Sequence, residues 1–327
     1  MLSAMSNSAT YGGNATSEEG AFGEALNALL PPLPDDAHKY TRGSLLVLAG
    51  SRRFPGAAVL AARAAARAGA GYVTLAIPEP AATVAQTHLL SVPVIAAPAI
   101  DGAFAADAWE SIRTQVTHLD AIVLGPGLTV TPSTSLFVQV VLQEAHDAQR
   151  ELPVLLDADA LNILSAFVRQ GWQGFHPEAS TEASTEVSTE ESTETPDMTF
   201  VLTPHAGELK RLCEATGTFS TLQLAKMLQA IVVAKGPQTH IVSSAREYCS
   251  TSGTSALAKA GTGDVLAGII GSFIAQGATP FDAAVLGVEV HGRAGQLAEN
   301  ALGRRAVCAE DVIEAIPAVL QRIERRQ

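Results

Sequence analysis

Short apolar runs recur along this chain at intervals that leave room for a helix between neighbours, and several are followed at once by a glycine-bearing loop. Ser44–Ala49, Tyr72–Ile77, Ala121–Leu124, Pro153–Leu156, Thr199–Leu202 and Ile231–Ala234 are such runs. They are too short for helices and apolar on both faces, so they read as strands covered on both sides. The Ala-rich stretch Ala57–Ala68 and the stretch Ser133–Asp147 read as helices between them. Strands alternating with helices require an α/β fold with a mostly parallel sheet and helices on both faces. Hydrophobic residues make up 47% and aromatics only 5% of the chain, so the core is built from small aliphatic side chains. In such a sheet the loops that follow the strands line one edge, where ligands bind.

Beyond Thr254 the chain turns helical, with Asp264–Gln276, Pro280–Asn300 and Cys308–Glu324 as the expected helices. Residues 1–37 read as a flexible leader with a short helix over 21–30, stopped by Pro31-Pro32. Residues 38–327 read as a single domain. Inside it, 178–197 repeats Ser-Thr-Glu every four residues and holds too little apolar surface to offset ordering, so it reads as a disordered insertion.

Acidic residues outnumber basic ones by 33 to 21, for a net charge of -12, which disfavours non-specific nucleic-acid binding. Cys213, Cys249 and Cys308 form no CxxC pair. Their sparse, odd count fits a reducing compartment rather than a disulfide framework or structural zinc. No signal peptide and no apolar span of membrane length is evident, so a cytoplasmic location without membrane contact is expected. A homo-oligomer is compatible with this composition.

The segment Lys259-Ala260-Gly261-Thr262-Gly263-Asp264 carries the most chemistry. Its glycines clear the backbone, and the apolar run behind Asp264 opens a helix whose free N–H groups can bind an anion. An acid placed there either complements the helix dipole or accepts a proton from a hydroxyl that attacks a phosphoryl group. Other loops follow predicted strands. Gly50–Ala58 carries neither GxGxxG nor the Walker pattern. Gly125-Pro126-Gly127-Leu128 is a second. Thr203-Pro204-His205-Ala206-Gly207-Glu208 places His205 and Glu208 ahead of a helix, where Glu208 can close a capping box without using His205. Lys235-Gly236-Pro237-Gln238-Thr239 suits a nucleotide phosphate or an ordinary turn. Asp157 and Asp159 can help hold Mg²⁺ through water, or Asp159 can cap the following helix.

These segments, in this order, resemble the NAD(P)H-hydrate dehydratases of the ribokinase-like superfamily over roughly residues 38–320. His291-Gly292 and Ala294 also fit, whereas Ala260 stands where a glycine is usual and Gly253-Thr254 replaces Gly-Asn. The resemblance implies a three-layer α/β/α sandwich. It implies phosphoryl transfer from ADP, or ATP, with Mg²⁺, to the hydroxyl of the S form of hydrated NADH or NADPH. Elimination of phosphate then restores the reduced nicotinamide. Asp264 would be the base and would also touch the substrate. Ala57, Gly127 and His205 would contact the hydrated cofactor. Lys235, Gly236, Pro237, Gln238, Thr239 and Gly263 would line the adenine nucleotide. With only some 37 residues ahead of the core, a separate epimerase is expected. A small-molecule hydroxyl kinase of the same fold, or a non-catalytic nucleotide sensor, are the competing readings.

Overall fold

A computed structural model describes residues 23–116, 118–147, 152–171 and 200–324. The Ser-Thr-Glu segment and most of the leader lie outside them.

The core is a nine-stranded sheet. Its strands are β1 (Ser44–Leu48), β2 (Tyr72–Pro78), β3 (Val94–Ala97), β6 (Ala121–Leu124), β7 (Val154–Leu156), β8 (Phe200–Leu202), β9 (Ala230–Ala234), β10 (Thr239–Val242) and β11 (Glu247–Ser250). Two short strands, β4 (Ala99–Ile100) and β5 (Ala103–Phe104), form a separate hairpin. The order across the large sheet is β11-β10-β9-β8-β7-β6-β1-β2-β3. From β3 to β9 every pair is parallel, and β10 and β11 add an antiparallel end.

The period of two along each strand sorts its side chains into two cores. Leu45, Val47, Leu75, Val123, Leu155, Val201 and Val233 face one side. There they meet α1 (Pro55–Arg67), α2 (Glu79–His88), α8 (Thr262–Ala275), α9 (Pro280–Leu302) and α10 (Ala309–Glu324). Leu46, Leu48, Ile122, Leu124, Leu156, Leu202 and Val232 face the other. That side is covered by α3 (Ala108–Arg113), α4 (Pro132–Asp147), α5 (Asp159–Arg169), α6 (Ala206–Thr216) and α7 (Thr221–Met227). The expected three-layer α/β/α sandwich with a mostly parallel sheet is therefore the fold.

One local expectation needs correction. Asp159 does not cap α5: the N-cap is Ala158, with no side-chain capping bond, and Asp159 is the first helical residue. The short stretch between Ser220 and Lys235 holds both a helix and a strand. The helix α7 has only seven residues, and Gln229 takes a positive φ of 46° to turn directly into β9. Among the described residues no helix is long and apolar enough to cross a membrane.

Candidate active site

The loops that follow β7, β8 and β9 meet because their strands are neighbours in the sheet. Asp157 stands one residue past β7 and is 1% exposed. Its Oδ1 accepts hydrogen bonds from Thr203 Oγ1, just past β8, at 2.7 Å and from Lys235 Nζ, just past β9, at 2.7 Å. The backbone continues the sheet beyond these ends: Lys235 N donates to Pro204 O at 2.9 Å, and His205 and Lys235 form an isolated parallel bridge. A buried carboxylate needs a partner of this kind. Asp157 thus holds the Lys235 ammonium in place.

Lys235 points toward the start of α8. A Cβ added at Gly263 would lie 3.4 Å from Lys235 Nζ. The N-cap of α8 is Gly261, in a left-handed conformation with φ 91°, and it offers no side-chain acceptor to the first-turn N–H groups. Thr262 turns its hydroxyl back onto Leu257 O at 2.7 Å and Lys259 O at 2.8 Å, so it braces the loop. The result is a cationic side chain beside uncapped helix N–H groups, an arrangement that receives an anion.

Asp264 lies in that first turn. Burial, then the charge of Asp157, push its carboxyl up to about 7, with Lys235 opposing and Asp159 adding to the rise. A carboxylate tuned into this range can take and return a proton near neutral pH. For Lys235 burial alone would lower the pKa. The Asp157 charge and hydrogen bond, helped by Glu208 and Asp264, reverse this and raise it, so the side chain stays charged.

The loops after β1 and β6 form the other side. Gly50 N donates to Pro126 O at 2.7 Å, and the hydroxyls of Ser51 and Thr129 lie 2.9 Å apart. Asp159 Oδ2 accepts from Thr129 N at 2.9 Å, tying this side to the loop after β7. Gly125, with φ 135°, must be glycine, because a Cβ there would stand 1.8 Å from Asp157 O. Gly127 has φ 65°, and its Cβ would meet Phe54 O at 2.8 Å and Ala57 Cβ at 2.9 Å. Ala57 and Gly127 are thus close neighbours.

His205 is not idle, contrary to the reading in which Glu208 alone closes the helix. Its Nδ1 accepts from Gly207 N at 2.9 Å as the N-cap of α6, while Glu208 Oε2 accepts from His205 N at 2.9 Å. The exposed imidazole sits with Nε2 3.3 Å from Glu208 Oε1, which fixes its orientation. Burial raises the Glu208 carboxyl. Gly236, Pro237 and Gln238 form the exposed turn of the β9–β10 hairpin, and Thr239 opens β10.

The structure therefore brings Asp264, Gly263, Lys235 and Asp157 together, joins Ala57 to Gly127, and sets His205 beside Lys235. The Thr203–Asp157–Lys235 link spans sequence separations of 46 and 78 residues, so no local pattern announces it. The 240 Å³ cavity lined by Leu26, Arg293, Gln296 and Arg322, among others, includes none of these strand-end loops.

Comparison with known proteins decides the family. The sequence pattern of the NAD(P)H-hydrate dehydratases matches residues 45–176 and 181–318. The chain belongs to the NAD(P)H-hydrate dehydratase family. It is 30% identical over 312 residues to an ADP-dependent (S)-NAD(P)H-hydrate dehydratase of Xanthomonas campestris pv. campestris, covering 92% of this chain and 96% of that one. It is 33% identical over 306 residues to a bifunctional NAD(P)H-hydrate repair enzyme Nnr of Moorella thermoacetica, covering 90% of this chain. It spans only 52% of that relative, about half the length of the bifunctional proteins it matches. Among solved structures it resembles the ADP/ATP-dependent NAD(P)H-hydrate dehydratase of Bacillus subtilis co-crystallised with ATP and Mg²⁺. That match has a TM-score of 0.69 and 28% identity, and covers 92% of this chain and 97% of that one. A ribokinase-like protein of Enterococcus faecalis, at 20% identity and TM-score 0.72, shares the fold.

Proposed function

We propose that this chain is an ADP-dependent (S)-NAD(P)H-hydrate dehydratase. The observation that carries the reading is Asp264, a half-buried carboxyl raised to about 7, set in the uncapped first turn of α8 beside the charged Lys235. A carboxylate beside an anion site hinders simple phosphate binding, but it suits removal of a proton from a hydroxyl that attacks phosphorus. The relatives' names supply the substrate class.

In this mechanism the terminal phosphoryl group of ADP lies between Lys235 and the Gly261–Gly263 N–H groups. Asp264 takes the proton of the hydrate's hydroxyl as its oxygen attacks that phosphorus, and AMP leaves. Phosphorylation makes the oxygen a good leaving group. Loss of phosphate, with loss of a proton from the neighbouring ring carbon, restores the reduced nicotinamide. Lys235 and the helix N-terminus stabilise the charge that spreads over the transferring group. Ala57, Gly127 and His205 would line the hydrated cofactor, and residues 235–239 with Gly263 the nucleotide.

Mg²⁺ is expected to arrive with the nucleotide, since it prefers one or two carboxylates together with phosphate oxygens and water. The residues fit this arrangement and not a protein-only cage. Among the described residues no group of three or more His, Cys, Asp or Glu is disposed to hold a metal. Asp157 and Asp159, at the end of β7 and the start of α5, are the carboxylates that would take a water-mediated share of the ion. Bound there, Mg²⁺ would neutralise part of the phosphate charge.

Phosphorus NMR of a reaction with ADP and S-form hydrate tests this reading. AMP and free inorganic phosphate should appear together, with no phosphate ester building up. Accumulation of a stable ester would assign the chain to hydroxyl kinases of the same fold instead.

A further inference from the structure

A second set of buried polar groups lies behind the nucleotide side of this site. Glu289, in the middle of α9, is 1% exposed although it carries a carboxylate. Its Oε1 accepts from Tyr248 Oη at 3.0 Å and from Ser250 Oγ at 2.6 Å, and its Oε2 accepts from Ser252 Oγ. Arg293 Nε lies 3.5 Å from Oε2. A buried carboxylate with three hydroxyl donors and a guanidinium nearby is well satisfied. Burial, then the Glu289 carboxylate, push the Tyr248 phenol up, which keeps it a donor.

What these hydroxyls hold is a segment between two elements of the site. Ser250 pairs in register with Thr239, the residue that ends the turn starting at Lys235. From Ser250 the chain runs through Ser252, Gly253 and Thr254 to Lys259–Gly261, the loop ahead of α8. One face of α9 supports this run at the helical spacing of three and four. Glu289 holds Ser250 and Ser252. Gly292 lets the segment approach, since a Cβ there would lie 2.8 Å from Ser252 C. Gln296 Nε2 donates to Gly253 O at 3.1 Å, and Glu299 accepts from Thr254 Oγ1. Ser252, Gly253 and Thr254 remain half-exposed.

We infer that Glu289 is a positioning residue for the adenine nucleotide: through Ser250 and Ser252 it sets the wall that joins the Lys235–Thr239 turn to the Gly261–Gly263 loop. Glu289 touches no reacting atom. Its effect falls on nucleotide affinity and not on the chemical step. The inference rests on the nucleotide-dependent reading above.

The test pairs ADP titration calorimetry with steady-state kinetics for the parent chain, Glu289→Ala and Ser252→Ala. Removing the carboxylate frees three donors, so Glu289→Ala should raise both Kd and KM for ADP about tenfold or more. Its kcat at saturating ADP should stay within about threefold of the parent. Ser252→Ala removes one hydroxyl from a half-exposed position, does not threaten folding, and should weaken ADP in the same direction by about threefold. Parent-like ADP binding in Ser252→Ala and in folded Glu289→Ala overturns the inference, as does a loss confined to kcat. A parent chain that binds no ADP would instead overturn the nucleotide reading, and the titration separates the two failures.

Discussion

Replacing Asp264 by Asn should abolish turnover and stabilise the protein at the same time. The carboxyl moves from 3.8 to about 7 on folding. A shift of roughly three units corresponds to about 4 kcal/mol, and solvent screening of a half-buried group trims this to about 2 kcal/mol. The sign follows from proton counts. Between the unfolded and folded values the unfolded chain has lost its proton while the folded chain keeps it. Stability therefore falls as pH rises through this window, and the loss is complete above about 7. Asn is neutral at every pH and escapes the loss. The variant should match the parent near pH 4 and exceed it by about 2 kcal/mol at pH 8. For a domain of this size that is a rise in Tm on the order of 5 °C. Thermal unfolding of both proteins at the two pH values measures the difference directly. A gain of equal size at both pH values, or a loss of stability at pH 8, would refute the argument that Asp264 is held against its own charge. Turnover should fall by at least about a thousandfold while ADP still binds.

Other consequences follow from the same geometry. The kcat/KM of the parent should fall with one-proton dependence below about pH 7, where Asp264 holds its proton and cannot act as base; a flat profile between pH 5 and 8 would contradict that role. Lys235→Met strands the buried Asp157 carboxylate and should cost about 3 kcal/mol in denaturant unfolding. Adding Asp157→Asn should recover much of that loss, and simple additivity in the double-mutant cycle would show that the pair is not coupled. Gly127→Ala puts a Cβ against Phe54 O and Ala57 at φ 65°. It should raise KM for the hydrate and lower stability by about 1–2 kcal/mol, whereas wild-type kinetics would remove Gly127 from the substrate wall.

The parallel part of the fold was legible because its strands are apolar on both faces, and such runs stand out in any reading of the sequence. The antiparallel end was not. The strands Thr239–Val242 and Glu247–Ser250 are only partly buried and mix polar with apolar residues. Their identity comes from pairing with β9, not from composition. Asp264 could be found because a glycine loop and the start of a helix bracket it. Lys235 and Asp157 could each be singled out, but their link depends on strand order, which brings residues 78 positions apart to 2.7 Å. Asp159 invited a capping role that the fold denied, because the turn at Ala158 takes φ 50° and hands the Asp159 carboxylate to Thr129. Glu289 does carry a signal in the sequence: a lone acid between Val288 and Val290 in an apolar run of its helix must find a buried partner.

The most direct measurement mixes the purified chain with S-form hydrated NADH, Mg²⁺ and ADP, and follows the absorbance of reduced nicotinamide. The absorbance should rise only when ADP is present, in proportion to its amount, and not at all with Asp264→Asn. Folded protein that binds ADP yet gives no rise, with ADP or with ATP, would contradict the dehydratase function.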